Sequence, residues 1–140
     1  MFYSTKVIEL GSACFRQPFA KSHCRFLHGY HLVVKFIFQS EELDDNNWVV
    51  DFGSFGSLKT LLRNYFDHKT IISKKDPYLK RFRVMHQEEI IDLIEMDEIS
   101  IEKFSEFCYR KANGFLPPHI KCISAEVSEH GKNSAIFKCE

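Results

Sequence analysis

The chain has five cysteines and no Cys-x-x-Cys pair; Cys14, Cys24, Cys108, Cys122 and Cys139 stand far apart. An odd, scattered set argues against a zinc knuckle or a disulfide framework. Net charge is missing too, because 19 Lys and Arg balance 19 Asp and Glu. That removes the electrostatic case for binding nucleic acid or an anionic membrane. No apolar run approaches the roughly 18 residues of a membrane span. Met1 to Lys6 lacks the apolar core of a signal peptide. There is no repeat, low-complexity tract or linker. What remains is 140 residues, a length suited to one domain, 1–140, with its own core and reduced thiols. The expected location is cytoplasmic.

Hydrophobic period predicts the elements. Met1 to Leu10 is a candidate strand, and Gly11 to Leu27, which contains Pro18, is a loop. Leu32, Val34, Phe36 and Phe38 alternate along a strand with one apolar face. Residues 41–47 are a polar turn, and Trp48 to Phe52 is a further strand. Leu58, Leu61, Leu62 and Tyr65 make Ser57 to Phe66 an amphipathic helix with Ser57 as its N-cap. A short helical segment with Leu79 and Phe82 follows Asp76-Pro77. Ile90 to Met96 is a short strand. Ser100-Ile101-Glu102-Lys103 precedes a second helix in which Phe104, Phe107 and Cys108 share a face. Asn113-Gly114 stops it. Ile120 to Glu129 and Ser134 to Lys138 form a closing hairpin. This order predicts an α+β fold, with an antiparallel four-stranded sheet and two helices on one face.

Three places carry side chains suited to chemistry. Cys24 precedes Arg25-Phe26-Leu27-His28-Gly29-Tyr30-His31 at the mouth of the apolar strand. It is either a buried small hydrophobe or a nucleophile whose thiolate His23, Arg25 and Arg16 could stabilise. Asp67-His68 follows the first helix, as a tuned acid–base pair or a helix-end histidine. Glu129 ends a strand whose alternate residues, Ile123, Ala125 and Val127, look buried. It is either a solvated hairpin residue or a carboxylate placed to hold a guanidine-like ring edge through two parallel hydrogen bonds.

Four segments, in order, resemble the 6-pyruvoyltetrahydropterin synthase / 6-carboxytetrahydropterin synthase family. Cys24 to Gly29 resembles its Cys-x3-His-Gly-His motif. Trp48 to Gly53 with Leu58-Lys59 resembles its strand-to-helix passage. Phe66-Asp67-His68-Lys69 resembles its Leu-Asp-His segment. Glu102-Lys103-Phe104 and Val127 to Ala135 resemble its pterin-binding helix start and glutamate hairpin. The resemblance implies the tunnelling fold (T-fold), an oligomeric β-barrel assembled as a homohexamer of two stacked trimers with sites between subunits. It implies a pterin substrate, 7,8-dihydroneopterin triphosphate, with Cys24, Asp67 and His68 catalytic. Glu129, Ser100, Glu102, Arg16 and Arg25 would bind the substrate. The carboxy-forming branch leads to 7-deazaguanines such as queuosine.

The resemblance also implies a zinc ion on three histidines, one from a Ser-Ala-Ala-His-like segment and two from His-x-His. Here the first segment reads Ser12-Ala13-Cys14-Phe15, and Tyr30 stands at the second position of the pair. His28 alone is retained. Cys14, His23 and His31 are the candidate substitutes, and His31 needs a bulge because strand side chains alternate faces. Without substitutes, Arg16 or Arg25 would take the place of zinc. The expectation is a divergent 6-carboxytetrahydropterin synthase-like lyase. The alternatives are a non-catalytic pterin- or purine-binding module and a metal-independent pterin enzyme.

Overall fold

Leu32, Val34, Phe36 and Phe38 are fully buried, as their alternation requires. They lie on β2 (His28–Ser40), a central strand in the computed structural model, which describes residues 1–140. On one side β2 pairs antiparallel with β1 (Phe2–Phe15). On the other it pairs antiparallel with β5 (Lys121–His130), which in turn pairs with β6 (Asn133–Lys138). Beyond β1, β3 (Lys69–Ser73) and β4 (Leu93–Met96) add two parallel pairings. The order is β4-β3-β1-β2-β5-β6.

The sheet is therefore six-stranded and mixed, not four-stranded and antiparallel. The missed strand is β3. Thr70, Ile71, Ile72 and Ser73 are all buried, so no alternation marks them, as expected for an internal parallel strand.

The sheet also begins differently. β1 does not stop at Gly11 but bulges there: Glu9 pairs with Val33 and Gly11 with Leu32, leaving Leu10 extra. Gly11 takes φ +103°, a conformation other residues rarely adopt. The bulge changes which side chains face the core. Before it Ile8 and Leu10 are buried; after it Ala13 and Phe15 are. Residues 11–15, expected in a loop, thus reach the end of β2.

Two helices cover this face. α1 (Gly56–Phe66) buries Leu58, Leu62 and Phe66. α3 (Ile101–Asn113) buries Ile101, Phe104, Ser105, Cys108 and Ala112. Both follow the helical period, and they meet edge-to-face at Phe66 and Phe104, 5.2 Å between centroids. Ser100 caps α3 by accepting from Lys103 N at 3.0 Å. Ser57 does not cap α1, which starts one residue earlier behind Phe55 without a side-chain cap. A third helix, α2 (Leu79–Gln87), buries nothing. Trp48 to Phe52 is not a strand. Val49 and Val50 are buried, but the chain turns into a 3-10 segment at Phe52–Phe55, where Asp51 accepts from Gly53 N at 2.8 Å. No helix is long and apolar enough to cross a membrane.

Candidate functional site

The bulge in β1 sets the geometry of the site. Phe15 pairs with His28, and Ala13 with Tyr30, so Phe15, His28 and Tyr30 share the helix-covered face. Ring centroids are 5.1 Å apart for Phe15–His28, 6.1 Å for Phe15–Tyr30 and 5.7 Å for His28–Tyr30. Gly29 between them is required by close approach, since a Cβ there would sit 2.4 Å from the Ala13 carbonyl oxygen. His28 Nδ1 lies 2.7 Å from the Phe26 carbonyl. A carbonyl only accepts, so Nδ1 carries the proton and Nε2 offers a lone pair. Burial pushes the Tyr30 phenol up, and the Glu129 carboxylate and the Cys24 thiol, both nearby, push it the same way.

This corner does not fit a three-histidine zinc ion. It offers one imidazole, one phenol and one phenyl ring. Ser12 pairs with His31 and Cys14 with Gly29, so Cys14 and His31 belong to the opposite face. His31 Nε2 lies 3.9 Å from Glu9 Oε1 there. His23 is exposed, in the turn of Cys24.

Cys24 lies in a 3-10 turn, His23–Arg25, whose Ser22 hydroxyl accepts from Cys24 N at 3.3 Å. Gln17 N donates to the Cys24 carbonyl at 3.0 Å. Arg16 Nη1 donates to the Arg25 carbonyl at 3.0 Å. Arg16 is itself held by Asp76, Nε to Oδ2 at 2.8 Å and Nη2 to Oδ1 at 3.2 Å. Arg25 folds back on its own turn, donating to the carbonyls of Lys21 and Ser22, with its guanidinium 4.2 Å from the Phe26 ring. Both arginines expected to face substrate are thus committed to holding the Cys24 turn. The Asp76 side chain is fully buried and also accepts from Tyr78 N at 2.8 Å. Removing one partner of such a pair strands the other charge, at a cost of about 3–5 kcal/mol. Asp76→Ala is expected to lose about that much in urea unfolding, and Asp76→Asn, which keeps the shape, less.

Glu129 is the penultimate residue of β5, at a register shift between Ser128 and His130, on the face that Ala125 and Val127 bury; a register shift at Ile37/Phe38 leaves Ile123 only half-buried and puts Cys122 in the core instead. The Glu129 carboxylate is half-buried and accepts no hydrogen bond within the chain. The strand is fixed from behind by α3. Ser105 Oγ accepts from Val127 N at 3.3 Å, and Asn113 exchanges hydrogen bonds with the Cys122 backbone at 3.0 and 3.1 Å. Burial pushes the Cys108 and Cys122 thiols up, Cys122 to about 12, so both stay protonated and structural. Glu102 is exposed in the first turn of α3, while the Ser100 hydroxyl is occupied by its cap.

Asp67 and His68 lie elsewhere. Asp67 Oδ1 is 3.0 Å from His68 Nδ1 and accepts from Ser12 N at 3.1 Å; Oδ2 accepts from Arg63 at 2.7 Å. Burial pushes the Asp67 carboxyl up, but the Ser12 amide, Arg63 and His68 outweigh it and hold it below the ordinary carboxylate value. His68, at φ +60°, is 85% exposed on its side chain and donates its backbone N–H to Ser12 at 2.7 Å. It borders a shallow cavity of about 440 Å³ lined by Ser12, Cys14, Gly29, His31 and Thr70. Within one chain the sheet separates His68 from Cys24, and no hydrogen bond joins them. The residues missed from sequence are Phe15, whose face depends on the bulge, and Asp76, whose Asp-Pro context reads only as a helix start.

A family model described as 6-pyruvoyl tetrahydropterin synthase matches residues 7–140. The chain belongs to this family. One curated relative, the 6-carboxy-5,6,7,8-tetrahydropterin synthase of Rickettsia typhi, is 35% identical over 57 residues. That match spans 40% of this chain and 41% of the relative's length. The fold recurs in an uncharacterized protein from Wolinella succinogenes, with TM-score 0.85, 17% identity, and 99% and 98% of the two chains covered. It recurs in Caenorhabditis elegans 6-pyruvoyl tetrahydropterin synthase, with TM-score 0.69, 16% identity, and 99% and 96% covered. A catalytic-residue mutant of the Plasmodium vivax 6-pyruvoyltetrahydropterin synthase aligns with TM-score 0.70, 13% identity, and 100% and 99% covered.

Proposed function

We propose that this family member is a divergent 6-carboxytetrahydropterin synthase-like lyase acting on 7,8-dihydroneopterin triphosphate. The observation that carries the proposal is the convergence of Cys24, Tyr30 and Glu129 at one end of the helix-covered face, with the Glu129 carboxylate unpartnered. A pterin presents two adjacent N–H donors on its guanidine-like edge, and a carboxylate accepts both in a bidentate pair. Cys24, on its clamped turn, then stands beside the ring substituent as the group that moves protons. The proposed role of Asp67 is to orient His68 through the 3.0 Å contact to its Nδ1.

His68 reaches Cys24 only if a second copy supplies it, which supports sites between subunits. β4 and β6 leave both edges of the sheet open, and unpaired edges invite pairing with another chain. A homohexamer of two trimers, the assembly the family resemblance implies, would use these edges.

The second reading, a pterin-binding module without lyase activity, is favoured by His28 standing alone among the three zinc positions. Turnover separates the two. Incubation with 7,8-dihydroneopterin triphosphate is expected to release triphosphate and acetaldehyde and to give a 6-carboxy-tetrahydropterin. Saturable ring binding without turnover would establish the module instead.

A further inference from the structure

Asp67 is tied at both ends of its carboxylate. Oδ1 accepts from Ser12 N at 3.1 Å and lies 3.0 Å from His68 Nδ1. Oδ2 accepts from Arg63 Nη2 at 2.7 Å. Arg63 sits one turn earlier on α1, and its Nη1 donates to the Glu9 carbonyl at 3.2 Å. Glu9 and Ser12 flank the Gly11 bulge. One guanidinium therefore joins the strand before the bulge to the carboxylate that the strand after it holds. The Ser12 carbonyl in turn accepts from His68 N at 2.7 Å. That contact helps keep His68 at φ +60°, a conformation uncommon for residues other than glycine. Backbone contacts fix where His68 stands, and the carboxylate fixes how its ring is used.

The terminal torsion of a carboxylate is broad. The Ser12 amide alone would pin one oxygen and leave the group free to swing about it. Arg63 on the other oxygen sets the plane and keeps Oδ1 for His68. An ionised carboxylate only accepts, so the His68 proton sits on Nδ1 and the Nε2 lone pair is left free. We infer that Arg63 is a positioning residue for the proposed lyase: it holds Asp67 so that neutral His68 keeps one tautomer, with Nε2 as the proton acceptor. The inference rests on the catalytic reading of Asp67 and His68 and adds the residue that sets their geometry. Lysine is a poor replacement, because a compact ammonium lacks the fork that reaches the Glu9 carbonyl and Oδ2 together. An exposed helical ion pair by itself contributes little. Arg110 and Glu106 on α3 form the comparable i,i+4 pair and serve as the control.

The test reads the His68 ring and the reaction side by side in the full-length protein. Long-range proton–nitrogen correlation spectra of histidine-labelled protein at about pH 9, above the ordinary imidazole range, show which ring nitrogen carries the proton. His68→Gln identifies the signals among the seven histidines. Wild type is expected to show the Nδ1–H form alone, and Arg63→Met a mixture of the two forms. Partners that orient a histidine from behind are worth about 10- to 100-fold in activity. With the Ser12 amide still in place, Arg63→Met is expected to lower kcat about tenfold and leave KM unchanged. Arg63→Lys, which keeps the charge, is expected to recover only part of either effect, so it carries the test should the methionine variant not fold. Arg110→Met is expected to change neither. An unmixed Nδ1–H signal in the folded Arg63 variants, or turnover equal to wild type in them, would overturn the inference. No turnover by wild type would overturn the lyase reading, and the tautomer comparison would still decide whether Arg63 holds His68.

Discussion

Cys24→Ala is expected to lower turnover of 7,8-dihydroneopterin triphosphate at least a hundredfold. A positioned proton-transfer group is worth about 10²–10⁴ in rate, and alanine leaves nothing at that position to carry the proton. The substitution leaves the fold alone. Cys24 is half-buried, its side chain makes no hydrogen bond, and the contacts that shape its turn run through backbone atoms and Ser22. Ring affinity is therefore expected to survive, because Glu129 and the α3 contacts behind it are untouched. A KM close to wild type with a collapsed kcat is the signature of a group acting in the transition state and not in binding. A Cys24→Ala protein as active as wild type would remove the thiol from the chemistry.

Gly11→Ala is expected to be the most damaging single methyl group in the chain. A Cβ at Gly11 would lie 2.1 Å from Asp67 Oδ1 and 2.5 Å from Asp67 Cβ, and φ +103° is strained for any L side chain. Overpacking costs about 1–3 kcal/mol and an unfavourable φ a similar amount, so a loss of about 3 kcal/mol or more is expected. That corresponds to a melting temperature lower by on the order of 10 °C. The damage extends beyond stability, because the bulge is what turns Phe15 toward His28. Thermal unfolding measured by circular dichroism checks the first effect. Gly56→Ala is the control, since a Cβ there meets nothing within 4 Å.

What was legible in the sequence was what period and caps encode. β2 announces itself through Leu32, Val34, Phe36 and Phe38, and α3 through Phe104, Phe107 and Cys108 with Ser100 ahead of them, although Phe107 is only half-buried. The parity of His28 and Tyr30 also follows from alternation alone, and the two rings do stand together. Tertiary partners were not legible. Gly11 reads as a strand terminator because a glycine that breaks a strand and one that bulges it look alike until the pairing strand is known. Arg16 and Arg25 read as free cations near a cysteine. Arg16's partner Asp76 lies 60 residues later, and nothing local predicts a bidentate pair across that distance. β3 hid because a strand buried on both faces has no period. The separation of Cys24 from His68 was equally invisible, since motif order does not record on which side of the sheet each residue lies.

The central claim is that this chain holds a pterin ring through Glu129. The direct measurement is the pterin dissociation constant of wild type and of Glu129→Gln, side by side, by fluorescence titration. Glutamine keeps the size but replaces one acceptor oxygen by an N–H donor facing another donor. Charge-assisted hydrogen bonds contribute about 1.5–3 kcal/mol, so the variant is expected to bind on the order of 10- to 100-fold more weakly with an unchanged melting temperature. Equal affinity in the two proteins, or no saturable binding by wild type, would contradict the account.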